Sequence, residues 1–253
     1  MHSLKIFEKH IPYLLPLLLM FYRGLADFTV LFIGILFLYK SYKDSSWLWA
    51  KEPWFKMALL FVFYLLTVNV FISLNPQDSF FYALTFLRWP IFAAALAYWL
   101  LKQEDSIKKF LIGVLIITAF FVFDVWYQFF QGEDIFGYSK HSEGRLTGPL
   151  RNNPVVGIFI TKYLYILLTS VIIFNKFTKN SMQIFAILSL LLIGFITVLI
   201  TGERMSFILF TSSILIILLA IPIQIKPKLL ILVGFSILLV AIILMVSNYF
   251  PSV

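Results

Sequence analysis

The chain has 253 residues, 61% of them hydrophobic and 19% aromatic but only 13% charged, and its mean hydropathy is +0.96. A soluble domain is about 45–50% apolar and about 25% charged, so a chain of this length has no room to hide the excess. The balance excludes a soluble globular fold or a disordered chain, and the absence of cysteine excludes disulfides and thiolate metal or redox chemistry. What remains is a multi-span membrane protein.

The N-terminal apolar run follows Lys5 and Lys9, and it is succeeded by Phe21, Tyr22 and Arg23 rather than by a small-residue cleavage site. It is therefore expected to be retained as a span. Arg23-Gly24 interrupts the stretch 11–39, leaving two short spans or one long tilted helix. Lysines flank both ends, and a hairpin would put both ends on one side, so two spans are expected. Further runs near the roughly 20 residues needed to cross hydrocarbon fall at 55–74, 80–101, 109–130, 154–174, 182–200, 205–223 and 229–248. The expectation is an all-α polytopic membrane protein of about nine transmembrane helices, one domain over 1–253, whose longest outer loop is 131–153.

The net charge of +8 is a matter of orientation rather than of nucleic acid. With the N-terminus cytoplasmic, that side carries thirteen lysines (5, 9, 40, 43, 51, 56, 102, 108, 109, 176, 179, 226 and 228) against five acids, while the remaining charges balance. The C-terminus then lies outside. All five arginines (Arg23, Arg88, Arg145, Arg151 and Arg204) fall outside the cytoplasmic segments. Lysine is a hydrated point charge, whereas arginine is a planar fork suited to phosphate. The lysines are thus read as orienting the protein and the arginines as serving another purpose.

Arg88, Asp124 and Lys162 lie within spans, at estimated depths of roughly 12, 9 and 12 Å from the outer end. Intramembrane charges face a bundle interior and take partners. One reading is an ion pair of Asp124 with Lys162 or Arg88. The other is a polar cavity open to the outer face and floored by Arg88 and Lys162.

Two outer stretches stand out: Gly144-Arg145-Leu146-Thr147-Gly148-Pro149-Leu150-Arg151-Asn152-Asn153-Pro154, and Thr201-Gly202-Glu203-Arg204-Met205-Ser206. Each sets an arginine beside glycines and small polar groups, and helix starts after Pro154 and near Met205 would add N-terminal dipoles. Such a setting suits a phosphate or pyrophosphate. A plainer reading has each arginine anchored to lipid headgroups, with Gly and Pro making the turn. Trp126 and Tyr127 are read as an aromatic belt in preference to a sugar platform.

With Asp124-Val125-Trp126-Tyr127-Gln128, Gly132 and Ile135-Phe136-Gly137, these stretches resemble the O-antigen ligase and O-antigen polymerase family of bacterial envelope glycosyltransferases. The resemblance runs over nearly the whole chain. It implies transfer of a glycan from an undecaprenyl-diphosphate carrier to lipid A-core or to another carrier-linked glycan, at the periplasmic face of the inner membrane and without metal or nucleotide. By motif, Arg145 and Arg204 would hold the carrier diphosphate, with Arg151, Arg88 and Lys162 as secondary contacts. In the family a large periplasmic loop bearing the histidine base follows the span that here ends near Asn248, and about three more spans succeed it. That loop is outside these 253 residues, so the catalytic residue is unassigned, and the resemblance implies a fragment, a truncated gene product, or half of a split enzyme whose partner polypeptide brings the loop. His2 and His10 are on the wrong side, and His141 does not occupy the family's position. Two rival readings stand beside this one. A flippase or transporter for lipid-linked oligosaccharide would need polar residues in the inner half of the bilayer, and none are seen there. A non-catalytic scaffold would tolerate lysine at 145 and 204.

Overall fold

The computed structural model describes residues 2–20, 23–141, 144–151, 153–174 and 180–220. The described residues form helices joined by short turns, and no strand occurs among them. The helices are α1 (His2–Met20), α2 (Arg23–Lys43), α3 (Pro53–Ile72), α4 (Pro76–Leu100), α5 (Glu104–Gln131), α6 (Val156–Phe174), α7 (Asn180–Ile200) and α8 (Arg204–Ala220). Four are long and apolar enough to cross a membrane: 24–43 within α2, α3, α4 and α5. Apolar helices of shorter reach cover 156–171 and 185–200. The chain is therefore an all-α membrane protein. The expected span at 229–248 lies outside the described residues.

The stretch 11–39 is two helices, parting between Met20 and Arg23. The apolar half of α1, from 11 to 20, covers only roughly 15 Å at 1.5 Å per residue, about half the hydrocarbon thickness.

The helices sort into two compact units, 1–113 and 114–253. In the first, the lysine-bearing helix ends gather at one end. Glu8 of α1 accepts a bond from Lys40 of α2 at 3.3 Å and another from the Trp99 indole of α4 at 2.5 Å. Behind them Phe37, Trp49, Phe55 and Trp99 form an aromatic core, with Phe37 and Trp49 centroids 5.1 Å apart and Trp49 and Phe55 4.8 Å apart. Gly113 allows α5 to touch α1, because a Cβ there would stand 2.3 Å from the Tyr13 carbonyl oxygen. In lipid such small-residue contacts, rather than water exclusion, hold helices together. By contrast α3 is only 11% buried along its apolar window, leaving most of its surface for lipid to cover.

α4 breaks at Leu87, just before Arg88. Pro90 is the cause, since its ring clashes with the Phe86 carbonyl and supplies no N–H to it. Arg88 at that break meets Asp27 at 2.8 Å and lies 5.5 Å over the Trp89 ring.

In the second unit α6, α7 and α8 pack closely around Gly194, where a Cβ would be 2.4 Å from Leu164 Cδ1 and 2.9 Å from Phe210 Cζ. The Trp126 indole donates to Thr197 Oγ1 at 3.0 Å and the Tyr165 hydroxyl to the Phe210 carbonyl at 2.8 Å. Trp126 thus ties α5 to α7 by a directed bond.

Candidate functional site

The loop between α5 and α6 is built in two steps. α5 ends at Gln131, and Gly132, at φ +87°, takes the left-handed position that closes it, donating its N–H to the Gln128 carbonyl at 2.9 Å. A tight turn follows, in which Asp134 Oδ1 accepts the N–H groups of Phe136 (2.9 Å) and Tyr138 (2.7 Å), a side chain substituting for backbone in a turn. Asp124 reaches this turn from α5, its Oδ1 accepting the Ile135 N–H at 2.9 Å.

One helical turn along the same face, Gln128 is fully buried. Its oxygen accepts the N–H groups of Thr147 and Gly148, both at 2.9 Å. Its nitrogen donates to Thr147 Oγ1 at 3.0 Å and to the Tyr138 carbonyl at 3.1 Å. Both lone pairs and both N–H groups of that amide are thus used. Gly148 sits at φ +49°, and a Cβ there would meet Val156 Cγ2 at 3.0 Å and Val125 Cγ2 at 3.1 Å. Only glycine fits this corner, for reasons of both backbone and space.

The loop then meets the α7–α8 turn. The Leu146 N–H donates to the Thr201 carbonyl at 3.0 Å, and Arg145 lies across Gly202, whose Cβ position would be 3.6 Å from Arg145 Cγ. Next to it Glu203, only 7% exposed, accepts the Gly157 N–H at 2.7 Å and a bond from the Ser206 hydroxyl. Burial pushes the Glu203 carboxyl above its ordinary value. The bonds from Ser206, Gly157 and Ile158 and the Arg145 charge act the other way. Gly157 permits this approach, because a Cβ there would be 2.9 Å from Thr201 Oγ1.

Arg145 and the turn that leads to Arg204 are accordingly brought side by side, although they are far apart in sequence. Arg204 is exposed at the start of α8. Arg151 is exposed as well, at φ +60°, with its guanidinium carbon 5.9 Å over the Tyr138 ring. Lys162 is exposed on α6. Arg88 belongs to the other unit, where Asp27 holds it.

Two expectations need correction. Asp124 pairs with neither Lys162 nor Arg88: its Oδ1 takes a backbone N–H and its Oδ2 has no partner among the described residues. The α6 N-terminus, in one of the two readings a contributor to an anion site, has its Gly157 N–H taken by the protein's own carboxylate, Glu203. In the sequence Gln128 and Glu203 stand out only as letters of the motifs. A lone Gln four residues after an intramembrane Asp, and a Glu directly before a helix start with Ser three residues on, are the signals that would have singled them out.

His141 is half-buried, its backbone N–H donating to the Arg145 carbonyl at 3.0 Å. Among the described residues no group of three or more His, Cys, Asp or Glu is placed to hold a metal ion. Compared with family models, with curated proteins and with solved structures, the chain matches none.

Proposed function

We propose that this is a bacterial inner-membrane protein of O-antigen ligase or polymerase type, with nine spans, a cytoplasmic N-terminus and a periplasmic C-terminus. It binds an undecaprenyl-diphosphate-linked glycan at the outer face and serves its transfer to lipid A-core or another glycan. Arg145 and Arg204 meet the diphosphate, where the departing carrier develops negative charge. Arg151, Lys162 and Arg88 are secondary contacts, and no residue is assigned as the base.

The observation that carries this reading is convergence. Three of the stretches behind the family resemblance, 124–128, 144–157 and 201–206, are joined by Gln128 to Thr147 and Gly148 and by Leu146 to Thr201. Because Glu203 accepts from the first turn of α6, this reading puts the burden on arginine geometry rather than on the α6 dipole. The same carboxylate favours a second reading, a non-catalytic scaffold whose motifs only consolidate turns.

The experiment is binding of an undecaprenyl-diphosphate glycan to the full chain in nanodiscs, beside Arg145→Lys and Arg204→Lys. Loss on the order of tenfold or more in both variants is expected if forked contacts to the diphosphate are made. Absent binding, or binding unchanged in both, overturns the carrier site and leaves the scaffold.

A further inference from the structure

We infer that the turn joining α2 to α3 is a docking surface for the headgroups of acidic phospholipids. This rests on the first unit and on the membrane class of the chain, independently of the carrier site proposed above.

The turn is stiff by construction. α2 ends with the Ser46 N–H donating to the Ser41 carbonyl at 3.0 Å and the Ser45 N–H to the Tyr42 carbonyl at 3.3 Å, with Ser45 left-handed at φ +46°. That is the bonding of a Schellman cap, which reverses the chain within a few residues. Trp49 then fastens the segment inward. It is 5% exposed, its indole donates to Ser41 Oγ at 3.1 Å, and Phe55 packs edge-on against it. With Trp49 committed inward, its neighbours on the short 3-10 turn are left outside: Trp47 is 42% exposed and Leu48 71%.

Exposed lysines without an ion pair among the described residues also occur at Lys9 and Lys102, but at this corner three of them coincide with an outward apolar edge. Lys40 is paired with Glu8 and Asp44, Lys108 with Glu104, and Lys109 with Asp105. Lys43, Lys51 and Lys56 are exposed, and none has a carboxylate within ion-pair distance among the described residues. All three flank Trp47 and Leu48 in sequence, and against them stands one further charge unpaired among the described residues, half-buried Glu52, so a net positive charge and an outward apolar edge coincide.

The position selects the partner. The turn lies between two helices long enough to span, where 24–43 leaves the hydrocarbon and 53–72 re-enters it, so it stands at headgroup level. Aromatic and aliphatic side chains suit that boundary in any lipid. Three lysines against the single Glu52 leave a net positive charge, matched by a lipid with net negative charge and not by a zwitterion.

The test uses the full chain in zwitterionic nanodiscs doped with dibrominated phosphatidylglycerol or dibrominated phosphatidylcholine, read by tryptophan quenching. Enrichment of the acidic lipid at Trp47 is expected on the order of tenfold over the zwitterionic one. The difference should vanish in Lys43→Gln/Lys51→Gln/Lys56→Gln and shrink in Trp47→Phe. Thermal unfolding should be unchanged in these variants, because the altered side chains are exposed. Equal quenching by the two lipids in the unaltered chain overturns the inference. So does a preference that survives the triple substitution, or one that Trp47→Phe leaves intact, since each would place the acidic lipid elsewhere.

Discussion

Glu203 and Gly157 are joined by a hydrogen bond of 2.7 Å in which a carboxylate oxygen accepts from the first turn of α6 across 46 positions of sequence. The same side chain is held by Ser206 of α8, so one buried acid fastens the start of one helix to the start of another. Helix N-termini leave N–H groups without intrahelical partners, and a carboxylate satisfies both the groups and the dipole.

Titration of Glu203 therefore leaves a signature in stability. Burial raises its carboxyl in the folded state, which means the fold binds the protonated form more tightly than the unfolded chain does. The contribution is fully present below the unfolded glutamate pKa of about 4.3 and is lost as pH rises through the raised folded value. Thermal unfolding in detergent should show stability falling over that interval. Glu203→Gln, which keeps an acceptor for Gly157 and carries no charge, should flatten the profile. Glu203→Ala should lower stability by about 1–3 kcal/mol at all pH values by orphaning the Gly157 N–H.

Gln128 of α5 should be the most sensitive of the polar residues that secure the α5–α6 loop. Its Ala variant leaves the buried Thr147 and Gly148 N–H groups without their acceptor. A loss of about 1–3 kcal/mol per orphaned buried group is expected. Hydrogen exchange should localise it: amides 147 and 148 should lose protection in Gln128→Ala, while those in the middle of α3 should not change.

The Arg88–Asp27 pair calls for a double-mutant cycle. Arg88 is the more enclosed partner, with 22% of its side chain exposed against 37% for Asp27. Removing either charge alone leaves the other half-buried and unpaired, whereas removing both is milder. Arg88→Gln and Asp27→Asn should each lower the unfolding temperature of the detergent-solubilised chain, and the double variant should recover part of the loss. Strict additivity of the two single effects would show that the pair has no coupling.

The helices were legible because bilayer length and apolar runs are properties of consecutive residues. The interruption at Arg23-Gly24 corresponds to the parting of α1 from α2, and the runs 55–74, 80–101, 109–130, 154–174, 182–200 and 205–223 correspond to α3 through α8 within a few residues. The gathering of lysine-bearing ends within the first unit follows from alternation of helix direction, which a short turn imposes. Partners of intramembrane charges were not legible in that way. Asp27 was available to Arg88 all along, but nothing local ranks it above Asp124, because which helix faces meet is decided by packing at glycines such as Gly113 and Gly194.

What the sequence by itself determined is therefore the solvent of this protein and, within a few residues, the places where its described helices begin and end. Hydropathy and charge act residue by residue along the chain, and need no neighbours to be read. Only the tertiary structure decided that Glu203 occupies the α6 N-terminus, that Gln128 secures the loop carrying Arg145, and that Asp124 takes a backbone N–H in place of a cation. A buried polar group accepts whichever partner the packed helices bring within about 3 Å, and that choice exists only once they have packed.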